Sequence, residues 1–174
     1  MQPLIRQMTN ADWPSVSRIY QQGMDSNLAT FQTECPDWAE WDAAHHAQCR
    51  LVALLDEAVA GWAALSPTSS RSVYAGVASV SIYIAQEARG MGIGKALLLA
   101  LISVSEAAGF WTLQSGIMED NDASIALHNS CGFRLVGYRE KIGQDRFGVW
   151  RNTLLMERRS ARDDFSGKNG GDCC

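Results

Sequence analysis

The hydrophobic positions of this chain change period several times, and each change marks an element. Leu4 to Arg6 reads as a short strand, after which Thr9 stands as a helix N-cap with Asp12 three residues on, near capping-box spacing. Trp13, Val16, Ile19 and Tyr20 then recur at helical intervals, which predicts a first helix to about Met24 with these side chains in the core. Pro36 opens a second helix that lines up Trp38, Trp41 and Ala44 or His45 on one stripe. Leu51 to Leu55 and Val59 to Leu65, separated by Asp56-Glu57, read as a β-hairpin, and a Ser-, Pro- and Thr-rich loop from Ser66 to Ser72 follows. Val77 to Ile84 alternates as a long strand; Gly92 to Ala108 returns to helical spacing and stops at Gly109. Trp111 to Ile117 is the next strand, Ser124 to Cys131 a short helix, and Arg134 to Lys141 with Val149 to Glu157 a final hairpin across Gly143 to Gly148. The predicted order is β-α-α-β-β-β-α-β-α-β-β, without internal repeats.

Composition narrows the class. At 174 residues with 47% hydrophobic content, the chain is long enough for one well-buried core and too short to favour two domains. One domain over residues 1–160 is expected, with residues 161–174 a disordered tail that carries several Gly and charged residues and no apolar period. The formal net charge of −4 and the lack of a sustained basic stripe argue against non-specific nucleic-acid binding, leaving small-molecule or peptide partners. The first residues lack a signal-peptide core and no apolar run approaches the roughly 18 residues of a membrane span, so a soluble cytoplasmic protein is expected. Five cysteines in such a chain read as reduced thiols: Cys35, Cys49 and Cys131 pack, and Cys173-Cys174 close the tail. No metal-ligand spacing is present, and adjacent His45-His46 cannot both face one way on a helix.

The candidate chemistry centres on Arg89-Gly90-Met91-Gly92-Ile93-Gly94, between a predicted strand and a predicted helix. Glycines allow close backbone approach, and the first N–H groups of a helix have no intrahelical acceptor, so together they make an anion cradle. Direct hydrogen bonds to a charged group, about 1.5–3 kcal/mol each, outweigh the helix dipole at roughly 0.3–1 kcal/mol. A nucleotide P-loop fails here, because Gly94-Lys95 is followed by Ala96 and Arg89 stands where the first glycine belongs. A dinucleotide fingerprint also fails: the turn lies in mid-sequence, and the region about 20 positions on, Trp111 to Ile117, has no acid.

What remains is Arg-x-x-Gly-x-Gly. With a second segment, Asn121 to His128 followed by Cys131-Gly132-Phe133-Arg134, it resembles the two signatures of the GCN5-related N-acetyltransferases, the GNAT family. The resemblance spans roughly residues 3 to 158. Within the family the chain is most similar to the phosphinothricin and methionine sulfoximine acetyltransferases, through Leu28 to Glu34, Ser81 to Ile84, Ala123 to His128 and Arg146 to Trp150. The resemblance implies an α/β (α+β) GNAT fold, a mixed and mostly antiparallel sheet of about seven strands with helices on both faces. It further implies an N-acetyltransferase that moves acetyl from acetyl-CoA to the primary amine of a small amino-acid-like acceptor in a ternary complex, without a metal, as a homodimer.

Carried over residue by residue, the resemblance gives Ile82, Tyr83 and Ile84 to the strand whose backbone pairs with pantetheine. Arg89, Gly90, Met91, Gly92, Ile93 and Gly94 go to the pyrophosphate, and Asn121 and Ser130 to cofactor contacts further along. Thr30 and Phe31, within the segment Asn27 to Phe31, and Arg71 and Tyr74 match positions that line the amino-acid pocket. Arg71 either pairs with a substrate carboxylate or is a solvated loop charge; Phe31, Tyr74 and Trp150 form an apolar wall or belong to core and dimer contacts. His128 stands where the subgroup has a histidine near the cofactor sulfur, with an ordinary pKa of about 6.5 that suits proton transfer. The departure is Ser79, where the subgroup usually has the glutamate presumed to be the general base. A serine hydroxyl at most orients a water. The base is then His128, another carboxylate such as Glu34 or Glu119, or is dispensable because the acceptor amine arrives with a lower pKa. Acceptors of another class, a polyamine or a protein N-terminus, stay open at this point, as does a CoA-binding sensor with little catalysis.

Overall fold

The structure, a computed structural model, describes residues 3–162. Strands β1 (Leu4–Gln7), β2 (Arg50–Leu55), β3 (Ala58–Pro67), β4 (Val77–Ile84), β5 (Thr112–Met118), β6 (Arg134–Gln144) and β7 (Trp150–Arg159) alternate with helices α1 (Trp13–Asp25), α2 (Trp38–Ala44), α3 (Ile93–Ala107) and α4 (Asp122–Ser130). The order is the expected one. The strands make one seven-stranded sheet, β1-β2-β3-β4-β5-β7-β6. Every neighbouring pair is antiparallel except β4–β5. Cys173-Cys174 and the rest of the expected tail from residue 163 lie outside the described residues.

Alternation along β3 and β4 decides which helix goes where. Trp62 and Tyr83 are opposite one another in the register and stack at 4.8 Å. Their face takes α1 and α2, with Tyr20 against both rings and Trp41 edge-on to Trp62. The Tyr83 ring lies so close to Gly23 of α1 that a Cβ there would stand 2.5 Å from it. Gly61 and Ile84, one residue along, belong to the other face, where Ile84 touches α3 at Gly94. Helix α3 answers with Ile93, Leu97, Leu98, Leu101 and Ile102, all buried on one stripe.

The helix ends are set locally. Asp12 accepts from the Thr9 backbone N–H and hydroxyl and from both arms of the Arg6 guanidinium, which joins β1 to the start of α1. Arg6 is the main reason the Asp12 carboxyl is held down at about 2, against the opposing effect of burial. A 3₁₀ turn, Asn10–Asp12, intervenes, so α1 starts at Trp13 rather than directly after Thr9. Helix α2 starts at Trp38, two residues after Pro36, because the Asp37 carboxylate takes the Glu40 N–H. Helix α3 ends in a Schellman motif: Gly109 sits at φ 92°, its N–H reaches Glu106, and the Phe110 N–H reaches Ser105. Of the four predicted core residues of α1, Val16, Ile19 and Tyr20 are buried and Trp13 is half-buried against Trp38 and Trp41.

Candidate functional site: a fork between two parallel strands

The parallel pair β4–β5 holds for three residues only, Val77 with Thr112, Ala78 with Leu113 and Ser79 with Gln114. Beyond Ser79 the strands part, so the second half of β4 keeps β3 on one side and has a gap on the other. Backbone alternation says which peptides face that gap. The Ala85 N–H donates to Ala60 on β3, and the Gly76 carbonyl accepts from Trp111 and Thr112 on the β5 side. Odd-numbered residues of β4 therefore turn toward β3, and Val80, Ile82 and Ile84 turn their N–H and C=O groups into the fork. Of the three residues expected to pair with a cofactor, Ile82 and Ile84 present their backbone there. Tyr83 spends its peptide groups on β3 and its side chain on the α1 face, where burial pushes its phenol well above the ordinary range.

The fork opens onto the glycine turn. Gly90 and Gly92 sit at φ 76° and 79°, and a Cβ built on either meets nothing within 4 Å, so the turn is both left-handed and uncovered. Gly92 caps α3, whose first internal bond is Ala96 N–H to Gly92. The N–H groups of Ile93, Gly94 and Lys95 consequently have no intrahelical acceptor. The Arg89 Nε donates back to the Ile84 carbonyl, which fixes the turn to the end of β4. Met91 is exposed at its tip. Gly94 serves packing instead, since its missing side chain lets Leu127 of α4 and Ile84 come within 3.2 and 3.6 Å of where a Cβ would be. The uncovered N–H groups of the turn suit an anion, and the peptide edge of Ile82 and Ile84 leads up to them.

On α4, His128 is only 1% exposed. Its Nδ1 lies 2.8 Å from the Ser124 carbonyl, so Nδ1 carries the proton and Nε2 is the basic atom. Nε2 is buried and has no hydrogen-bond partner. Burial lowers the imidazole pKa, and the Ser124 carbonyl raises it back in part. Phe133 closes the ring in edge-on at 4.9 Å. Asn121 and Ser130 are engaged within the protein: Asn121 caps α4 through Ser124 and donates to the Leu28 carbonyl, and Ser130 donates to Leu127. Cys131 is buried, as packing requires.

The segment between α1 and α2 is tied down over the α1 face. The Thr30 hydroxyl stands beside the Tyr20 and Tyr83 phenols, and Phe31 rests on Gly143, where a Cβ would come within 3.1 Å of its ring. Asn27, at φ 55°, donates to Asp145, which also takes the N–H groups of Phe147 and Val149. Arg151 joins Asp145 to Asp120 and to the Asn27 carbonyl. Asn27 first, and then Arg151 with the two turn N–H groups, hold the Asp145 carboxyl at about 2. No sequence motif announces this knot, because its members are up to 124 positions apart.

Arg71 lies over the Tyr74 ring at 5.7 Å on the exposed β3–β4 connection. No hydrogen bond, ion pair or ring contact joins this pair to Thr30 or Phe31 among the described residues. Trp150 is more than half exposed and so is not core. Of the alternative carboxylates, Glu119 is taken up by Tyr138 and Asn152, and Glu34 is exposed. Ser79 accepts from the Gln114 side chain at the apex of the fork. Among the described residues, no group of three or more His, Cys, Asp or Glu could hold a metal ion.

The comparisons with known proteins agree with this geometry. A model of the acetyltransferase (GNAT) family matches residues 6–133. The phosphinothricin N-acetyltransferase of Alcaligenes faecalis is 32% identical over 164 residues, covering 88% of this chain and 81% of that protein. A GNAT superfamily phosphinothricin acetyltransferase from Sinorhizobium meliloti, solved in complex with acetyl-CoA, superposes with TM-score 0.81 at 33% identity, covering 91% of this chain and 89% of the other. A ribosomal-protein-alanine N-acetyltransferase from Brucella melitensis superposes with TM-score 0.81 at 34% identity, covering 90% and 99%.

Proposed function

The chain belongs to the GNAT acetyltransferase family and is an acetyl-CoA-dependent N-acetyltransferase, and from that premise we propose how its residues work and which amine they serve. The acceptor is the primary amine of a small amino-acid-like molecule of the phosphinothricin or methionine sulfoximine type. The observation that carries the site assignment is the fork, with the peptide edge of Ile82 and Ile84, unpaired by any strand, running into the Arg89 to Gly94 turn.

Acetyl-CoA supplies an activated acyl group as a thioester. The N–H groups at the start of α3 and in the glycine turn hold its phosphates, and Arg89 adds a charge there. Peptide groups of Ile82 and Ile84 bind its pantetheine arm by strand addition. An N–H aimed at the thioester oxygen from this edge stabilises the charge that develops there, an effect of about 2.7–4 kcal/mol for one such donor. His128 offers one basic atom, Nε2, whose proton acceptance assists thiol release or amine deprotonation. Thr30, Phe31, Arg71 and Tyr74 line the acceptor side, with Arg71 pairing the acceptor carboxylate.

The chain works in the cytoplasm as a homodimer formed through the β6–β7 hairpin. That hairpin exposes Leu135, Ile142, Phe147, Val149 and Trp150, each more than half accessible, and apolar exposure on this scale favours a contact surface there. Among the described residues no helix is long and apolar enough to cross a membrane.

Thiol release from acetyl-CoA across an amine panel tests the reading. Phosphinothricin and methionine sulfoximine should give acceptor-dependent release well above that of polyamines. The 34% identity to the ribosomal-protein-alanine enzyme makes an N-terminal alanine peptide the comparison that matters, and preferential acetylation of that peptide would replace the small acceptor.

A further inference from the structure

The apex of the fork is lined by neutral side chains. Ser66, Ser79, Gln114, Glu157 and Arg134 are successive register partners on β3, β4, β5, β7 and β6, so all five point to the α1 face. Gln114 Nε2 donates to Ser79 Oγ at 3.4 Å. Two groups are then left over: the Ser79 hydroxyl proton, free to be donated, and Gln114 Oε1, which takes no donor from the described residues. Both residues are half-buried, hence still reachable. The nearest carboxylate in this row, Glu157, is on the far side of Gln114, about 10 Å from β4 at two strand spacings, and it is held by Arg134 at 2.8 Å. Other ionisable groups on this face include Arg159, opposite Thr112, Arg151 further along β7 and Arg139 on β6, Arg50 on β2 paired with Asp42, Arg6 on β1 paired with Asp12, and Tyr83 beside Tyr20.

We propose that Gln114 is an acceptor-binding residue, and that the Ser79–Gln114 pair takes the acceptor amine in its neutral form instead of deprotonating it. This rests on the acetyl-transfer reading above. Gln114 Oε1 accepts one amine N–H, and Ser79, held by Gln114 Nε2, sets the direction of the pair. The nitrogen lone pair then forms the N–C bond to the acetyl carbon, the C–S bond breaks with its electrons on sulfur, and the proton shed by nitrogen after attack passes to His128 Nε2 and from there to the CoA thiolate. A pair without a titrating group selects the fraction of acceptor already unprotonated. The acidic limb of kcat/KM must therefore follow the acceptor's own amine pKa, and amines of low pKa, such as the amides or esters of amino acids, gain over the free amino acids.

The test measures kcat/KM against pH for methionine sulfoximine and for its carboxamide, with wild type, Gln114→Leu and Gln114→Glu, and acceptor binding by calorimetry in the presence of CoA. In wild type the acidic limb should shift with the acceptor. Gln114→Leu should lower acceptor kcat/KM and affinity about tenfold, the loss of one hydrogen bond to a polar ligand, while CoA affinity stays the same. Gln114→Glu should make the limb the same for both acceptors, since the enzyme then carries the base. A wild-type limb fixed at one pH for both acceptors, or a Gln114→Leu enzyme with unchanged acceptor kcat/KM, overturns the proposal while leaving acetyl transfer intact. Absence of thiol release with every amine overturns the acetyl-transfer reading and this one together.

Discussion

His128 donates its Nδ1 proton to the carbonyl oxygen of Ser124, one helical turn earlier, at 2.8 Å. The bond selects a single tautomer and leaves Nε2 as a buried base without a partner. His46 also has a buried Nε2 without a partner, so what sets His128 apart is its place on α4, the helix whose Leu127 packs against the start of α3. We expect His128→Ala to lower kcat by about 10²–10⁴-fold, the usual contribution of a positioned acid or base, with the Kd for acetyl-CoA changed less than about threefold. Single-turnover kinetics with calorimetry checks this, and unchanged turnover would remove His128 from the chemistry.

Ser79→Glu places a carboxylate beside Gln114 at the last paired position before the strands part. The variant should raise turnover of phosphinothricin at pH 7, where the acceptor amine is mostly protonated, and the gain should shrink as pH rises. A gain that is independent of pH would point to altered packing instead of a restored base.

Gly92 sits at φ 79°, a left-handed conformation in which any side chain is strained. A Cβ there meets no neighbour, so Gly92→Ala costs only the left-handed strain, about 1–2 kcal/mol. The chain can relieve it by rotating the peptides that face the phosphates. Acetyl-CoA affinity should fall about tenfold, equivalent to about 1.4 kcal/mol, with the acceptor KM unchanged. Equal affinity in wild type and variant would show that the turn does not hold the pyrophosphate.

Asp145→Asn keeps the shape of the residue at the centre of the loop knot and removes the charge facing Arg151. The Asn27 to Phe31 segment should loosen, raising the acceptor KM several-fold while the acetyl-CoA KM stays put. Hydrogen exchange over residues 27–31 reports the loosening directly. Since Asp145 titrates at about 2 in the folded protein, the wild-type knot should not open at any pH used for assay.

Burial depresses the pKa of His45, His46 and His128 below 6.5. The folded state therefore binds fewer protons than the unfolded one once pH drops below about 6.5. The associated stability is complete above that value and is lost as pH falls through the folded-state pKa values. The urea midpoint should decline from pH 7.5 to pH 5, and His128→Gln should flatten part of the decline. Asp12, at about 2, adds to the loss only as pH falls below its ordinary value of 3.8. A midpoint that holds steady to pH 5 would mean that the histidines are protonated without cost.

Much of the fold was legible because local pattern and local chemistry agree. The Val77 to Ile84 strand matches its alternation at both ends, and Gly109 stops α3 through the backbone geometry that a glycine there allows. Asp56 and Glu57 make the expected hairpin turn, both at positive φ, although neither is glycine. Some boundaries shifted with a cap, as Asp37 moved the start of α2, while β6 and β7 run past their expected ends to Gln144 and Arg159, where their pairing continues. The conformation of the glycine turn was legible for the same reason, since it depends on a contiguous run of backbone.

The sequence by itself determined the element order, the glycine-rich turn before α3, the identity of the acetyltransferase signatures and the absence of the usual glutamate at Ser79. These are properties of neighbours along the chain, where spacing and side-chain type carry the information. Only the tertiary structure decided that β4 and β5 part after Ser79, which turns Ile82 and Ile84 but not Tyr83 toward the fork. It alone set Gln114 against Ser79 and bound Asn27 to Asp145 and Arg151. Those relations follow from strand register and from contacts between residues far apart in the chain, and register is fixed by the packing of whole faces, α1 on Tyr83 and α3 on Ile84, which no local stretch of residues contains.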